Sequence, residues 1–155
     1  MHRRMLHSCG LAVLGLVTLM SIAQAQQKSA KDLIAGTWKL LIADNVRSDH
    51  TTVAGFGVLP SGTAKFGADG KYSVEVTPMS IGHPALSYSG SYTLDDAGKT
   101  LTLRVEQSSL ANWRGTTQSG TVEFVNADSL GWTTSAPFAA SGEFSGAELI
   151  WSRAK

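Results

Sequence analysis

YSGSYTLDDAGKTLTLRVE, residues Tyr88–Glu106, contains two alternating runs that are joined by a short polar turn. In the second run Leu101, Leu103 and Val105 alternate with polar residues, which is the period of a half-buried β-strand. The connection Asp95–Gly98 ends in glycine, which adopts the positive φ that tight turns require. This stretch therefore predicts an antiparallel hairpin.

The same pattern recurs on both sides of the hairpin, and helical periodicity is absent after residue 36. Eight strands are predicted: Thr37–Asp44, Thr63–Gly67, Lys71–Thr77, Tyr88–Leu94, Lys99–Glu106, Gln118–Val125, Ser129–Ser135 and Glu143–Arg153. In the first strand we expect Trp38, Leu40 and Ile42 to share one face. Leu41 and Ala43 then lie on the other face.

The connections between these strands alternate between long and short. The long connections are Asn45–Pro60, Pro78–Ser87, Gln107–Thr117 and Ala136–Gly142, and the short ones are Ala68–Gly70, Asp95–Gly98 and Asn126–Asp128. In an up-and-down meander successive connections lie at opposite ends of the sheet. Closure removes the edges of an open sheet, and Gly90 indicates a bulge or close approach of the kind found where sheets curl. The sequence predicts an all-β, eight-stranded antiparallel up-and-down barrel, with ligands entering at its elaborate rim.

The first residues have the composition of a signal peptide. Arg3 and Arg4 precede the apolar run Leu11–Ile22, and Ala23-Gln24-Ala25 is the small-x-small pattern of a cleavage site. The run is too short for a comfortable bilayer span, which takes about 20 residues. We therefore expect residues 1–25 to be removed and the protein to be periplasmic or secreted. Residues 26–155 are predicted to form the barrel domain, with a short helical turn at Lys31–Ala35.

Charge and cysteine content exclude several functional classes. The formal net charge of +1 gives no electrostatic reason to expect nucleic-acid binding. The only cysteine, Cys9, lies in the predicted signal peptide, so the mature chain has no disulfide, thiolate metal site or cysteine nucleophile. Gly-x-Ser-x-Gly, phosphate-loop, dinucleotide-binding and zinc-ligand patterns are absent, and no cofactor is predicted.

An ordered set of short motifs spans most of the predicted domain. The motifs are Leu33–Leu40, which contains Gly36-Thr37-Trp38, then Pro60–Gly62, Tyr88–Thr93, Asn112–Thr116 and Leu149–Arg153. This set resembles the bacterial and fungal lipocalin-like domain family, which has a calycin-type barrel. The resemblance implies an eight-stranded barrel, often with a central cavity, but no particular chemistry. By analogy with lipocalins, it also implies that Trp38 packs beneath Arg153 in a cation–π contact at the closed end.

A ligand site is predicted from aromatic side chains and one cation. Its six residues are Phe56, Phe66, Tyr72, Tyr92, Trp113 and Arg114. Trp113 lines the mouth in this hypothesis, and Arg114 meets an acidic group of the ligand. The structural alternative is that Trp113 packs against the barrel, because large aromatic side chains bury well on any surface. Phe56 lies in the first long connection, which either covers a cavity or folds onto the barrel side.

Titratable residues give no metal or catalytic assignment. His50 and His83 lie in long connections with Asp49, but their spacing matches no tight ligand motif, so solvated loop histidines are the preferred interpretation. Glu75 and Glu106 form an acid–base couple only if both point inward. Each lies opposite the apolar set of its strand, so we expect both carboxylates to face solvent.

The leading functional hypothesis is non-covalent binding of a small, mainly hydrophobic molecule inside the barrel. The first alternative is an interaction module with a solid core whose loops contact another envelope protein. The second is a cofactor-independent isomerase or cyclase that uses cavity tyrosines and a carboxylate. A nucleic-acid partner is not expected, nor is a membrane span after signal cleavage.

Overall fold

The computed structural model describes residues 29–57, 59–78, 85–135 and 143–155. They form a short helix, nine strands and one 3-10 turn. These elements are α1 (Ala30–Ile34), β1 (Gly36–Arg47), β2 (Thr52–Ala54), β3 (Ser61–Phe66), β4 (Lys71–Thr77), β5 (Leu86–Leu94), β6 (Thr100–Ser108), the 3-10 turn Ala111–Trp113, β7 (Thr117–Asn126), β8 (Ser129–Thr134) and β9 (Phe144–Arg153). In these ranges no helix has the length and apolar character that a membrane crossing requires.

Eight of the strands close into an antiparallel barrel, which confirms the predicted fold class. Each strand from β3 to β8 pairs with the next along the chain, β1 pairs with β3, and β1 also pairs with β9 to close the ring. The predicted strands coincide with the observed ones to within a few residues. β2 is an addition, since it lies in the predicted connection Asn45–Pro60 and pairs with the end of β1.

The two rims differ as the connection lengths predict. The tight rim consists of the turns 67–70, 95–99 and 127–128, and α1 lies against it, where Gly98 approaches the Cβ of Ala30. The strand ends at the loop rim are joined to the described residues 48–57, 59–60, 78, 85, 109–116, 135 and 143. Of the predicted long connections, residues 58, 79–84 and 136–142 lie outside the described ranges, and so does the predicted signal peptide.

The tight rim is closed by the contact that the lipocalin resemblance implied. Trp38 is fully buried, and its indole N–H donates a 2.8 Å hydrogen bond to the carbonyl oxygen of Ile34. The guanidinium carbon of Arg153 lies 4.2 Å from the centre of the Trp38 ring. The same guanidinium donates to the carbonyl oxygens of Leu33 at 2.6 Å and Ala35 at 3.0 Å. Arg153 therefore ties α1, β1 and β9 together.

Alternation of the strands builds one hydrophobic core inside the ring, but β1 departs from the predicted pattern. The register with β9 shifts between Leu40 and Ile42, so Leu41 is an extra residue in a β-bulge. Beyond the bulge Ala43 points inward with 1% of its surface exposed, whereas Ile42 is 44% exposed. The prediction that Ile42 shares the face of Trp38 is wrong, because one inserted residue reverses the faces of a strand.

Candidate functional site

An aromatic row lines the inside of the barrel from the tight rim to the loop rim. It consists of Tyr92, Phe66, Tyr72, Tyr88 and Trp113. The Phe66 ring lies 5.1 Å from Tyr92 and 6.3 Å from Tyr72, measured between centroids. Tyr88 lies 6.0 Å from Tyr72 and 5.2 Å from Trp113, both edge to face. Such aromatic pairs add stability beyond the apolar area that they bury, and the five rings form one continuous row in and against the hydrophobic core.

The structure brings four of the six predicted site residues together in this row: Phe66, Tyr72, Tyr92 and Trp113. Phe56 is buried in the same hydrophobic core, in the connection after β2. Arg114 is exposed, and its Nε donates to the carbonyl oxygen of Ser108 at 3.1 Å. The guanidinium thus lies on the surface of the loop rim. Sequence reasoning missed Tyr88, although it shares the face of Tyr92 in the predicted fourth strand.

The interior also holds buried hydrogen-bond donors that lack an acceptor. The Tyr92 hydroxyl donates to the carbonyl oxygen of Gly67 at 2.8 Å. In contrast, the Tyr72 hydroxyl and the indole N–H groups of Trp132 and Trp151 have no partner within the described part of the chain. The exposed fraction of these three residues is 4% or less. Sequence reasoning missed both tryptophans as site residues. Strand periodicity could have found them, because Trp132 shares a strand face with Leu130 and Trp151 shares one with Leu149.

These buried donors belong to different parts of the barrel wall. Counting around the ring, β4 with Tyr72 and β8 with Trp132 are four strands apart, so they stand on opposite sides of an eight-stranded barrel. Trp151 lies on β9, beside β8. The Trp132 ring covers Gly120, where a Cβ would come within 2.5 Å of the indole nitrogen. The Trp132 indole nitrogen therefore lies against β7, the neighbouring strand of the wall.

Burial raises the pKa of all three tyrosines in the chain. Desolvation is the main cause for Tyr72, Tyr88 and Tyr92, because the phenolate is costly in an apolar interior. The charge of Glu106 raises the pKa of Tyr72 further, and that of Asp69 raises the pKa of Tyr92. The hydroxyl groups therefore stay protonated and serve as donors at neutral pH.

The raised tyrosine pKa values predict a loss of stability in alkaline solution. In the unfolded chain the tyrosines ionise near their ordinary pKa of about 10, whereas in the barrel they keep their protons. Unfolding then releases protons, so the free energy of unfolding falls as pH rises above about 10. Phenolate absorbance should appear together with loss of the near-ultraviolet circular dichroism. Full ionisation near pH 10 with native dichroism retained would contradict this placement of the tyrosines.

The other titratable candidates do not form a common site in the described part of the chain. Glu75 and Glu106 are exposed on the outer face, and the Glu106 carboxylate lies 3.2 Å from the Lys71 ammonium. Hydrogen bonds from Thr51 lower the pKa of Asp49. Within the described ranges no three His, Cys, Asp or Glu side chains lie together in a way that could hold a metal ion. His83, the other predicted candidate, lies outside these ranges.

Comparisons with known proteins show the fold alone. No protein-family model matches the chain, and the search of curated proteins found no match. Among solved structures, a redesigned β-barrel is similar with 13% sequence identity and a TM-score of 0.50, covering 82% of this chain and 96% of that one. A de novo designed fluorescence-activating β-barrel is similar with 16% sequence identity and a TM-score of 0.47, and the match covers 83% of this chain and 100% of that one. The structure of EF1p2_mFAP2b bound to DFHBI is similar with 14% sequence identity and a TM-score of 0.49, and the match covers 81% of this chain and 98% of that one.

Proposed function

We propose that this chain is an exported, lipocalin-like barrel that binds a small, mainly apolar molecule non-covalently in its interior. The observation that carries the proposal is a set of buried donors that have no acceptor in the described part of the chain, Tyr72, Trp132 and Trp151, in an aromatic interior. Export to the periplasm or the medium rests on the signal-like residues 1–25. The aromatic row supplies apolar contact, and the donors supply orientation.

The energetics favour a ligand that carries at least one hydrogen-bond acceptor. A buried donor left without a partner costs about 1–3 kcal/mol. A ligand acceptor that bonds to one of these donors would remove this cost and so add to the binding free energy. Apolar area buried against the aromatic row contributes about 25 cal/mol per Å². The ligand class that fits is therefore mainly apolar with a carbonyl, ether or hydroxyl oxygen. An acidic group is not required inside, because Arg114 lies on the outer surface.

Two measurements test the proposal directly. Native mass spectrometry of protein purified from its own host should show a co-purifying apolar molecule that is released on denaturation. The neutral fluorophore N-phenyl-1-naphthylamine should give a saturable fluorescence increase and quench tryptophan emission. Absence of both signals would overturn the binding proposal and favour the alternative of an interaction module with a solid core.

Tyr72→Phe is expected to separate binding from stability. Removing this hydroxyl should leave the free energy of unfolding unchanged or raise it by about 1 kcal/mol, because the Tyr72 hydroxyl makes no hydrogen bond within the described residues. Affinity for a ligand that accepts from this hydroxyl should fall about tenfold, measured by fluorescence titration.

Tyr92→Phe is the matched control for this variant. Its hydroxyl already donates to the Gly67 carbonyl oxygen, so the change should cost about 1 kcal/mol of stability and leave affinity unaltered. Equal effects of the two variants on ligand affinity would contradict the assigned role of Tyr72.

A further inference from the structure

The bulge in β1 places two consecutive apolar side chains on the outside of the barrel. Leu40 and Ala43 are buried, whereas Leu41 and Ile42 between them are 51% and 44% exposed. In a regular strand, two consecutive side chains point to opposite faces of the sheet. The extra residue of the bulge interrupts this alternation, so both side chains face solvent.

The last strand adds a third aliphatic side chain to this surface. Ile150 alternates with buried residues of β9 and therefore points outward, and it is the direct partner of Ile42 in the β1–β9 ladder. On its other side Ile150 pairs with Gly131 of β8, which has no side chain that could cover it. Leu41, Ile42 and Ile150 thus form an apolar surface on the outer wall, which we call the β1–β9 patch. Clustered exposed apolar side chains mark contact sites for a partner.

Opposite charges lie at the two ends of the β1–β9 patch. Lys39 precedes the patch on β1 and Asp44 follows it, and both alternate with buried neighbours and so face outward. Glu148 of β9 is the direct partner of Asp44, and two carboxylates opposite each other in a ladder repel. Within the described ranges none of these three side chains takes part in a salt bridge. The charges at both ends are therefore available to a partner.

We propose that the β1–β9 patch is the contact surface of a symmetric dimer of this chain. A two-fold axis that passes between Leu41 and Ile42, perpendicular to β1, reverses the direction of the strand. Lys39 of each copy then lies opposite Asp44 and Glu148 of the other copy. The aliphatic side chains of the two copies cover each other between these charges. The dimer uses only the outer wall, so it does not depend on the ligand binding proposed above.

Charge complementarity selects both the second copy and its orientation. Lys39 and Asp44 lie at equal sequence distances from the axis, so a second copy brings the complementary charges to both ends by symmetry. An axis parallel to β1 would instead bring each charge against its own equivalent, and like charges oppose association. The outer wall of a barrel is convex, so the contact is small. We therefore expect a dissociation constant in the micromolar range or weaker.

Sedimentation velocity measures the dimer directly. Wild-type protein purified from its own host should change from monomer to dimer between about 1 µM and about 1 mM. Leu41→Ser combined with Ile42→Ser removes the apolar centre of the contact and should raise the dissociation constant by at least about tenfold. A wild-type protein that stays monomeric at about 1 mM would overturn the proposal.

Val125→Ser is the matched control for the apolar centre. Val125 is 69% exposed on β7, which is separated from β9 by β8. This variant should associate like the wild type, because Val125 lies outside the β1–β9 patch. Equal weakening in the two serine variants would overturn the assignment of the contact to this patch.

Charge reversal tests the orientation of the two copies. Lys39→Glu should weaken association by at least about tenfold, because the new carboxylate faces Asp44 and Glu148 of the other copy. Adding Asp44→Lys and Glu148→Lys to the same chain reverses both ends together and should restore association. A folded triple variant that associates no better than Lys39→Glu would overturn the proposed axis.

Crosslinking gives a check that does not depend on the serine or charge variants. Because the axis passes beside Ile42, an Ile42→Cys substitution in a Cys9→Ser background brings the thiols of the two copies close together. Dissolved oxygen should then oxidise them to an intermolecular disulfide, followed by non-reducing electrophoresis. Val125→Cys in the same background should stay largely monomeric. Equal yields of linked dimer from the two variants would overturn the dimer through this patch, since random collisions would then explain the disulfide.

Discussion

Replacing Trp38 by alanine is expected to lower the free energy of unfolding by about 4 kcal/mol, the cost typical of removing a buried tryptophan side chain. Trp38 is fully buried at the tight rim, its indole N–H bonds to Ile34, and Arg153 stacks on its ring. Truncation opens a cavity beneath the guanidinium and removes one of the links between α1 and the ring of strands, the hydrogen bond from Trp38 to Ile34. Urea denaturation followed by circular dichroism measures the loss.

A double-mutant cycle with Arg153→Met shows whether the two side chains act together. Because Arg153 contacts the Trp38 ring and the helix carbonyls, the double variant should be more stable than the sum of the single losses predicts. Trp113→Ala provides the control, since Trp113 is only half-buried at the opposite rim and should cost clearly less. A Trp38→Ala protein within 1 kcal/mol of wild type would refute the structural role of this contact.

Gly90→Ala is expected to cost about 3 kcal/mol, although alanine adds one methyl group. Gly90 is buried in β5 at the point where the register with β6 shifts, which fits the bulge or close approach indicated by the sequence. A Cβ at this position would lie 2.0 Å from the carbonyl oxygen of Arg104. Backbone atoms cannot move aside without opening the β5–β6 ladder, so the strain falls on the barrel wall.

Gly131→Ala is the matched control, because it also places alanine at a strand glycine. At Gly131 the atoms nearest to a new Cβ lie 3.8 Å away, which is ordinary van der Waals contact. This variant should have a Tm close to that of the wild type, whereas the Tm of Gly90→Ala should fall by several degrees. Similar Tm values for both variants would show that the close approach at Gly90 does not constrain the barrel.

Strand positions were predictable because alternation and turn residues are local signals. Lys71–Thr77 is a strand with the predicted bounds, and the long and short connections fall on opposite rims. The faces of β1 were not predictable beyond Leu40, since nothing in a run of apolar residues marks which one forms a bulge. β2 was missed because its three residues are held by pairing with β1, which is a tertiary contact.

The sequence predicted which strand aromatics face the interior, but not every residue that lies with them there. Phe66, Tyr72 and Tyr92 follow from strand alternation, and the structure places them in one aromatic row. Arg114 lies outside because the turn after β6 directs it to the Ser108 carbonyl oxygen. The unpartnered state of Trp132 and Trp151 is invisible in sequence, since it depends on which acceptors the opposite wall brings near.

By itself the sequence determined an all-β chain, the order of its strands and the contrast between its rims, because these depend on residues close together along the chain. Only the tertiary structure decided that the first and last strands pair, that β1 bulges at Leu41 and that three buried donors lack acceptors among the described residues. Each of these depends on contacts between strands far apart in sequence. Closure of the ring creates them, and local residue patterns do not specify them.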